Sequence, residues 1–207
     1  MKQNKINKKF VYLISPNKIK NQNFYNNLAL VLSSGKISFF QLRLKEETNL
    51  NKLIIGKKIK KICKKYKVKF LINDDPLLAQ KLNADGCHLG QKDMDVLEAR
   101  KILKNKIIGV TCHNSINLAK RANEAGADYL ACGAFCASKT KIVKYRANLK
   151  ILKSVKKITS LPIVAIGGIK LSNYKKLLLN KANFLAISGY IWNNKKYKPL
   201  EAIKKLK

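Results

Sequence analysis

Short apolar runs alternate along the chain with longer segments whose apolar positions recur every three or four residues. The runs occupy residues 10–15, 37–43, 69–73, 86–89, 106–111, 129–133, 162–166 and 184–188. They are rich in Val, Ile, Leu and Phe and are bounded by polar or Gly-containing turns, which predicts eight short buried strands. The intervening segments read as amphipathic helices. Leu53, Ile54, Gly56, Ile59, Ile62 and Cys63 form one apolar face, with Lys on the other. Leu118, Ala119, Ala122 and Ala125 form a second face, closed by Gly126 as a C-terminal stop. Leu149, Leu152, Val155 and Ile158 recur at three-residue steps.

Regular alternation of strand and helix predicts a parallel sheet with crossover helices. Eight such units in 207 residues fit a closed barrel better than an open sheet, so the expected fold is α/β, a single-domain (β/α)8 TIM barrel. The tripeptide patterns Asn83-Ala84-Asp85, Gly126-Ala127-Asp128 and Lys181-Ala182-Asn183 repeat one helix-to-strand turn. No linker rich in Gly, Ser or Pro divides the chain, which predicts one domain over residues 1–207 with 1–9 as a basic tail. The apolar run after that tail is too short for a signal sequence or a membrane span.

Charge changes this picture less than its size suggests. The formal net charge is +33, from 44 basic and 11 acidic residues. A nucleic-acid or anionic-surface partner would explain it. Only Arg43, Arg100, Arg121 and Arg146 are arginines, however, and the lysines are spread over nearly every segment. Specific nucleic-acid readers lean on arginine, so a solvated basic surface that steers anionic substrates is the expectation, with no specific nucleic acid and no membrane as partner. Cys63, Cys87, Cys112, Cys132 and Cys136 are odd in number and include no Cys-x-x-Cys pair. That argues for reduced thiols in a cytoplasmic protein and against a zinc site.

In barrels of this kind chemistry sits at the C-terminal strand ends. The second run ends Gln41-Leu42-Arg43-Leu44-Lys45, and alternation puts Gln41, Arg43 and Lys45 on one side. One amide and two cations there suit a diphosphate. The third ends Asn73-Asp74-Asp75-Pro76, and the fourth is followed by Gly90-Gln91-Lys92-Asp93. In a chain with so few acids, Asp74 and Asp93 at neighbouring strand ends can share a Mg²⁺. Helix capping is the competing role: Asp74 or Asp75 ahead of Pro76 could cap the next helix, as could Asp93 or Asp95, and Asp75 is the expected cap. His113, after Thr111 and Cys112, is either a general base or a helix-entry residue beside Asn114 and Ser115, and His88 is expected in the core or pocket floor. Ser138, Lys139, Thr140 and Lys141 would suit an anion-binding lid or a plain surface loop. Gly167-Gly168 and Ile187-Ser188-Gly189, after the last two runs, suit a phosphate.

These strings, with Leu71-Ile72-Asn73-Asp74, Ala84-Asp85-Gly86-Cys87-His88-Leu89-Gly90-Gln91-Lys92-Asp93, Ile108-Gly109-Val110-Thr111 and Pro162-Ile163-Val164-Ala165-Ile166-Gly167-Gly168-Ile169, fall in the order of the thiamine-phosphate synthases, which the chain resembles over about residues 10 to 190. The resemblance implies a transferase that joins hydroxymethylpyrimidine diphosphate to thiazole phosphate and releases pyrophosphate. It implies Gln41, Arg43, Lys45, Asn73 and Lys141 as diphosphate-side residues, with Arg43, Lys45 and Lys141 countering charge on the leaving group. Asp74 and Asp93 would bind Mg²⁺, and Thr111, where the family usually has Ser, would touch the pyrimidine. Ser138, Lys139, Thr140, Gly168, Ile187 and Ser188 would hold the thiazole phosphate. The chain departs from the pattern at Gly133-Ala134, where Gly-Pro is usual, at Asp75, where a basic residue is common, and at Gly189-Tyr190. Two alternatives are a thiazole tautomerase-like barrel, which needs neither the paired acids nor the full Gln-x-Arg-x-Lys set, and a non-catalytic basic barrel that binds nucleic acid.

Overall fold

A computed structural model describes residues 9–19, 21–136 and 146–207. In chain order its elements are β1 (Val11–Ile14), α1 (Gln22–Ser33), β2 (Ile37–Leu42), α2 (Asn49–Lys65), β3 (Lys69–Asn73), α3 (Pro76–Lys81), β4 (Gly86–Leu89) and α4 (Val96–Leu103). They continue with β5 (Ile107–His113), α5 (Ile116–Glu124), β6 (Tyr129–Gly133), α6 (Lys150–Ile158), β7 (Ile163–Ile166), α7 (Tyr174–Leu179), β8 (Phe184–Ile187), α8 (Gly189–Trp192) and α9 (Pro199–Lys205). All eight strands are parallel, each pairs with its sequence neighbours, and β8 closes on β1, with Val11 opposite Leu185 and Leu13 opposite Ile187. The expected (β/α)8 barrel is therefore what forms. Among the described residues no helix is long and apolar enough to cross a membrane.

The strands are buried on both faces because two cores flank them. Tyr12, Ile14, Leu71, Tyr129, Ala131, Val164 and Ala186 fill the barrel interior. Their sequence neighbours, such as Leu13, Phe70, Ile72 and Leu130, face the surrounding helices. The helices bury narrow stripes, as the periodicity predicts. In α2 the stripe is Gly56, Ile59 and Cys63. Ile54 lies about half a turn away from them at 3.6 residues per turn and is exposed, unlike the expectation from its neighbours. In α6 the buried residues are Ile151, Leu152 and Val155.

One junction recurs at the N-terminal end of the barrel. After α2, α3, α5 and α7 the chain turns through a positive φ at Lys67, Asn83, Gly126 and Lys181. The next residue then donates its N–H to a carbonyl five positions back: Val68 to Cys63, Ala84 to Ala79, Ala127 to Ala122 and Ala182 to Leu177. This satisfies the orphan carbonyls of each helix end. At three of these junctions the following residue also seals the preceding strand. The side chains of Asp85, Asp128 and Asn183 accept from the backbone N–H of Phe70, Ile108 and Ile163 at 2.9, 2.7 and 2.9 Å. The repeat visible in the sequence is thus a repeated hydrogen-bonding unit. It leaves the C-terminal strand ends as the open mouth.

Candidate active site

Three groups of residues meet at that mouth. The first spans β2, β3 and β4. Leu42 and Leu44 pack toward the helices, which turns Gln41, Arg43 and Lys45 the other way, as alternation requires. Arg43 is partly buried. Its Nη1 donates to Asn17 Oδ1 at 2.8 Å and its backbone N–H to Ser15 Oγ at 2.9 Å. Burial lowers the guanidinium's pKa while Asp74 opposes the shift; an arginine remains cationic under such pressure. Lys45 Nζ lies 3.6 Å from Asp74 Oδ2.

Asp74 sits at φ 66, a conformation that Asp tolerates better than most residues. Its backbone N–H still pairs with His88 O across the β3–β4 seam at 2.8 Å, and the turn presents the carboxylate to the mouth. Asp93 Oδ2 accepts from Gly90 N–H at 2.6 Å. A side chain at position 90 would place Cβ 2.9 Å from that oxygen, so the carboxylate would have to shift to make room. Burial first, and then the hydrogen-bonding and charge of Asp93, push the Asp74 carboxyl above its ordinary range, against the pull of Lys45 and Arg43. The two acids are therefore neighbours. Helix capping falls to the other acids: Asp75 accepts from Leu78 N–H and Asp95 from Leu97 N–H. Paired hard-oxygen donors of this kind fit a Mg²⁺ that completes its shell with water and substrate phosphate. Among the described residues no cluster of three or more His, Cys, Asp or Glu side chains adds further protein ligands.

The second group forms the floor. Gln41 is buried and donates through Nε2 to Tyr12 Oη at 3.0 Å. Thr111, near the C-terminal end of β5, holds Oγ1 2.8 Å from His88 Nε2. Beyond Thr111 the β5–β6 register shifts before His113, which takes a φ of 51. Bulges of this kind re-aim side chains at strand ends.

The third group lies across the mouth on β7 and β8. Gly167 and Gly168 have φ of 102 and 62, and Phe135 and Cys136 extend the edge of β7 through hydrogen bonds to Ile166 O and Gly167 O. Ser188 Oγ donates to Ser15 O at 3.1 Å. The β7–β8 pairing places Gly168 and Ser188 on adjacent loops. Ile187 is buried toward the helices, which leaves its main chain alone to face a ligand. Ser138, Lys139, Thr140 and Lys141 lie outside the described residues.

The residue-by-residue reading did not single out Tyr12, Tyr129, Ser15 or Asn17. Tyr12 and Tyr129 were available as polar-tipped residues inside otherwise apolar runs. Ser15 and Asn17 carried no local signal, because what they do depends on partners 26 to 28 positions away or more.

Comparison with known proteins follows the same lines. A family model for thiamine monophosphate synthase matches residues 11–191. The chain is 87% identical to a thiamine-phosphate synthase of Pelagibacter ubique (strain HTCC1062) over the full length of both. It is 38% identical over 184 residues to a thiamine-phosphate synthase of Nitrosomonas eutropha, covering 88% of this chain and 86% of that one. The solved structure of a thiamine phosphate pyrophosphorylase from Pyrococcus furiosus superposes with a TM-score of 0.83 at 27% identity, covering 98% of this chain and 96% of the other. The chain belongs to the thiamine monophosphate synthase family, and its function is the transferase reaction of thiamine-phosphate synthesis.

Proposed function

We propose that the mouth joins hydroxymethylpyrimidine diphosphate to thiazole phosphate, with the diphosphate on the β2–β4 side, the pyrimidine over Gln41 and Thr111, and the thiazole phosphate against Gly168, the main chain of Ile187, and Ser188. The observation that carries this reading is the convergence of Arg43, Lys45, Asp74 and Asp93 from three neighbouring strands. A tautomerase has no use for two adjacent acids flanked by two cations. Asn73 ends the strand that Asp74 follows, which supports its assignment to the diphosphate. Lys141, and Ser138, Lys139 and Thr140 for the second phosphate, complete the set from the sequence pattern.

In this arrangement the methylene C–O bond breaks and pyrophosphate leaves with the bonding pair. The aminopyrimidine ring shares the positive charge left on the methylene carbon. The thiazole nitrogen then donates its lone pair to form the C–N bond, so charge is balanced without a strong side-chain base. Arg43 and Lys45 face the oxygens on which negative charge grows, where fixed cations favour the transition state over the ground state. Asp74 and Asp93 would hold Mg²⁺, which when bound would neutralise further charge on the leaving diphosphate. Fixing the two substrates face to face accounts for several more kcal/mol, of the order of 7–11 for well-oriented partners. The five reduced thiols agree with a cytoplasmic setting.

The test is to supply purified protein with both substrates and Mg²⁺ and follow pyrophosphate and thiamine phosphate together. Equimolar appearance of both, abolished by EDTA and restored by Mg²⁺, is the expected result. Pyrophosphate without thiamine phosphate, or product formation indifferent to EDTA, would overturn the assignment of roles.

A further inference from the structure

Gln41 and Thr111, the two residues placed under the pyrimidine, stand on β2 and β5, yet one continuous hydrogen-bond chain joins them through the barrel interior. Gln41 Nε2 contacts Tyr12 Oη at 3.0 Å, Tyr12 Oη contacts Tyr129 Oη at 2.8 Å, Tyr129 Oη contacts His88 Nδ1 at 2.9 Å, and His88 Nε2 contacts Thr111 Oγ1 at 2.8 Å. Tyr12, Tyr129, Gln41 and His88 are 2, 3, 2 and 6% exposed. The rings are tightly set: Tyr129 stacks on His88 with centroids 5.7 Å apart and meets Tyr12 edge-on at 5.8 Å. Gly109 makes the space, since a Cβ there would fall 1.8 Å from Tyr129 Cζ.

The chain has a direction. An amide nitrogen only donates, so the Tyr12 oxygen accepts from Gln41 and its own hydrogen goes to Tyr129. Tyr129 in turn donates to His88 Nδ1. A neutral imidazole that accepts at Nδ1 carries its hydrogen on Nε2, which donates to Thr111 and leaves the threonine hydroxyl hydrogen for a ligand. Desolvation raises the pKa of both tyrosines, so both hydroxyls keep the hydrogens that this sense requires. The outcome at the mouth is an acceptor, Gln41 Oε1, at one end and a donor, the Thr111 hydroxyl, at the other.

We infer that Tyr12, Tyr129 and His88 are positioning residues that fix this acceptor–donor pair and so select an aminopyrimidine over its oxo counterpart. An exocyclic amino group offers hydrogens to Gln41 Oε1, and a ring nitrogen accepts from Thr111. An oxo group puts a lone pair against the Gln41 oxygen, and the chain reverses only if the amide turns, every hydroxyl rotates and the imidazole changes tautomer. Buried polar groups left mismatched are what gives such a site its discrimination. The inference rests on the proposed placement of the pyrimidine over these two residues.

The test is the affinity of hydroxymethylpyrimidine monophosphate and of its 4-oxo analogue for the wild-type protein and for Tyr129→Phe and Tyr12→Phe, with inorganic pyrophosphate as a third ligand. Both substitutions keep the ring, and near-UV circular dichroism confirms folding. The wild type should prefer the amino compound at least tenfold, and each variant should fall to within about threefold, with pyrophosphate affinity unchanged. A merely structural role would weaken all three ligands together and leave the ratio intact. That result, or full preference retained in both folded variants, overturns the inference. Absence of any preference in the wild type, or pyrimidine binding untouched in Gln41→Ala and Thr111→Val, overturns the placement of the pyrimidine itself.

Discussion

Arg43 is tethered on one side. Its Nη1 is held by Asn17, which leaves the rest of the fork for a ligand. Lysine cannot reproduce a fork tethered at one nitrogen with its other donors left over, so, on the proposed diphosphate contact, Arg43→Lys should lower kcat/KM by about 100-fold, the scale of losing one preorganised donor. Asn17→Ala, which removes only the tether, should raise KM for the pyrimidine diphosphate roughly three- to tenfold, worth about 1 kcal/mol, with a smaller change in kcat. Equal effects of the two substitutions in steady-state kinetics would show that Asn17 does more than orient. Arg43 was legible in the sequence because arginine is scarce and alternation fixed its side. Asn17 was not, because a Ser-Pro-Asn-Lys stretch reads as any turn until β2 folds beside it. Thiol chemistry is also decided residue by residue. Burial pushes the Cys112 and Cys132 thiols up to about 12 and Cys63 and Cys87 higher still, whereas Cys136 is only partly buried at the mouth. A thiol needs access and thiolate character to react. Titration with a chromogenic disulfide should therefore find one fast thiol in the native protein and five after denaturation. Two or more fast native thiols would contradict the packing.

The helix exits are where single elements store strain. Lys181 turns at φ 78 in the position that Gly126 occupies after α5. A side chain in the left-handed region costs about 1 kcal/mol, part of which glycine's greater unfolded-state freedom takes back. Lys181→Gly should thus stabilise by about 0.5 kcal/mol, a rise in Tm of some 1–2 °C for a chain of this size. The strand-sealing residue that follows three of these turns predicts the opposite sign. Asp128 Oδ2 accepts from Ile108 N–H and from Arg100 Nη2, both at 2.7 Å, while Arg100 also caps the carbonyls of Lys104, Lys106 and Gly126. Asp128→Ala leaves the Ile108 N–H without its partner and should cost about 1–2 kcal/mol in chemical denaturation, with little change in KM. Existence and order of the elements were readable because helical and strand periods differ and eight repeats reinforced each other. The Asn83-Ala84-Asp85 and Lys181-Ala182-Asn183 repeats could be seen as turns. Their sealing bonds could not, because each acceptor serves a strand about 15 to 20 residues earlier.

At the scale of the whole molecule the charge of +33 acts on stability and encounter in opposite senses. Self-repulsion among like charges destabilises the compact state and is relieved by salt. The same field draws in substrates that carry several negative charges, and salt weakens that attraction as the screening length falls from about 10 Å at 0.1 M to about 3 Å at 1 M. The closed barrel concentrates Arg43 and Lys45 at one mouth, beyond the general basicity, so the attraction is not merely diffuse. Raising KCl from 0.05 to 0.5 M should therefore raise Tm while lowering kcat/KM several-fold, chiefly through KM. The composition alone allowed a second account, in which the basic surface serves nucleic acid. That account predicts duplex affinity with a steep logarithmic salt slope, close to one unit per phosphate neutralised. Competition decides between them: short duplex DNA added to the assay at 0.15 M salt should leave kcat/KM unchanged if the field serves small anions at the mouth. Inhibition by duplex at micromolar concentration, lost again at high salt, would show that the surface was kept for a larger polyanion.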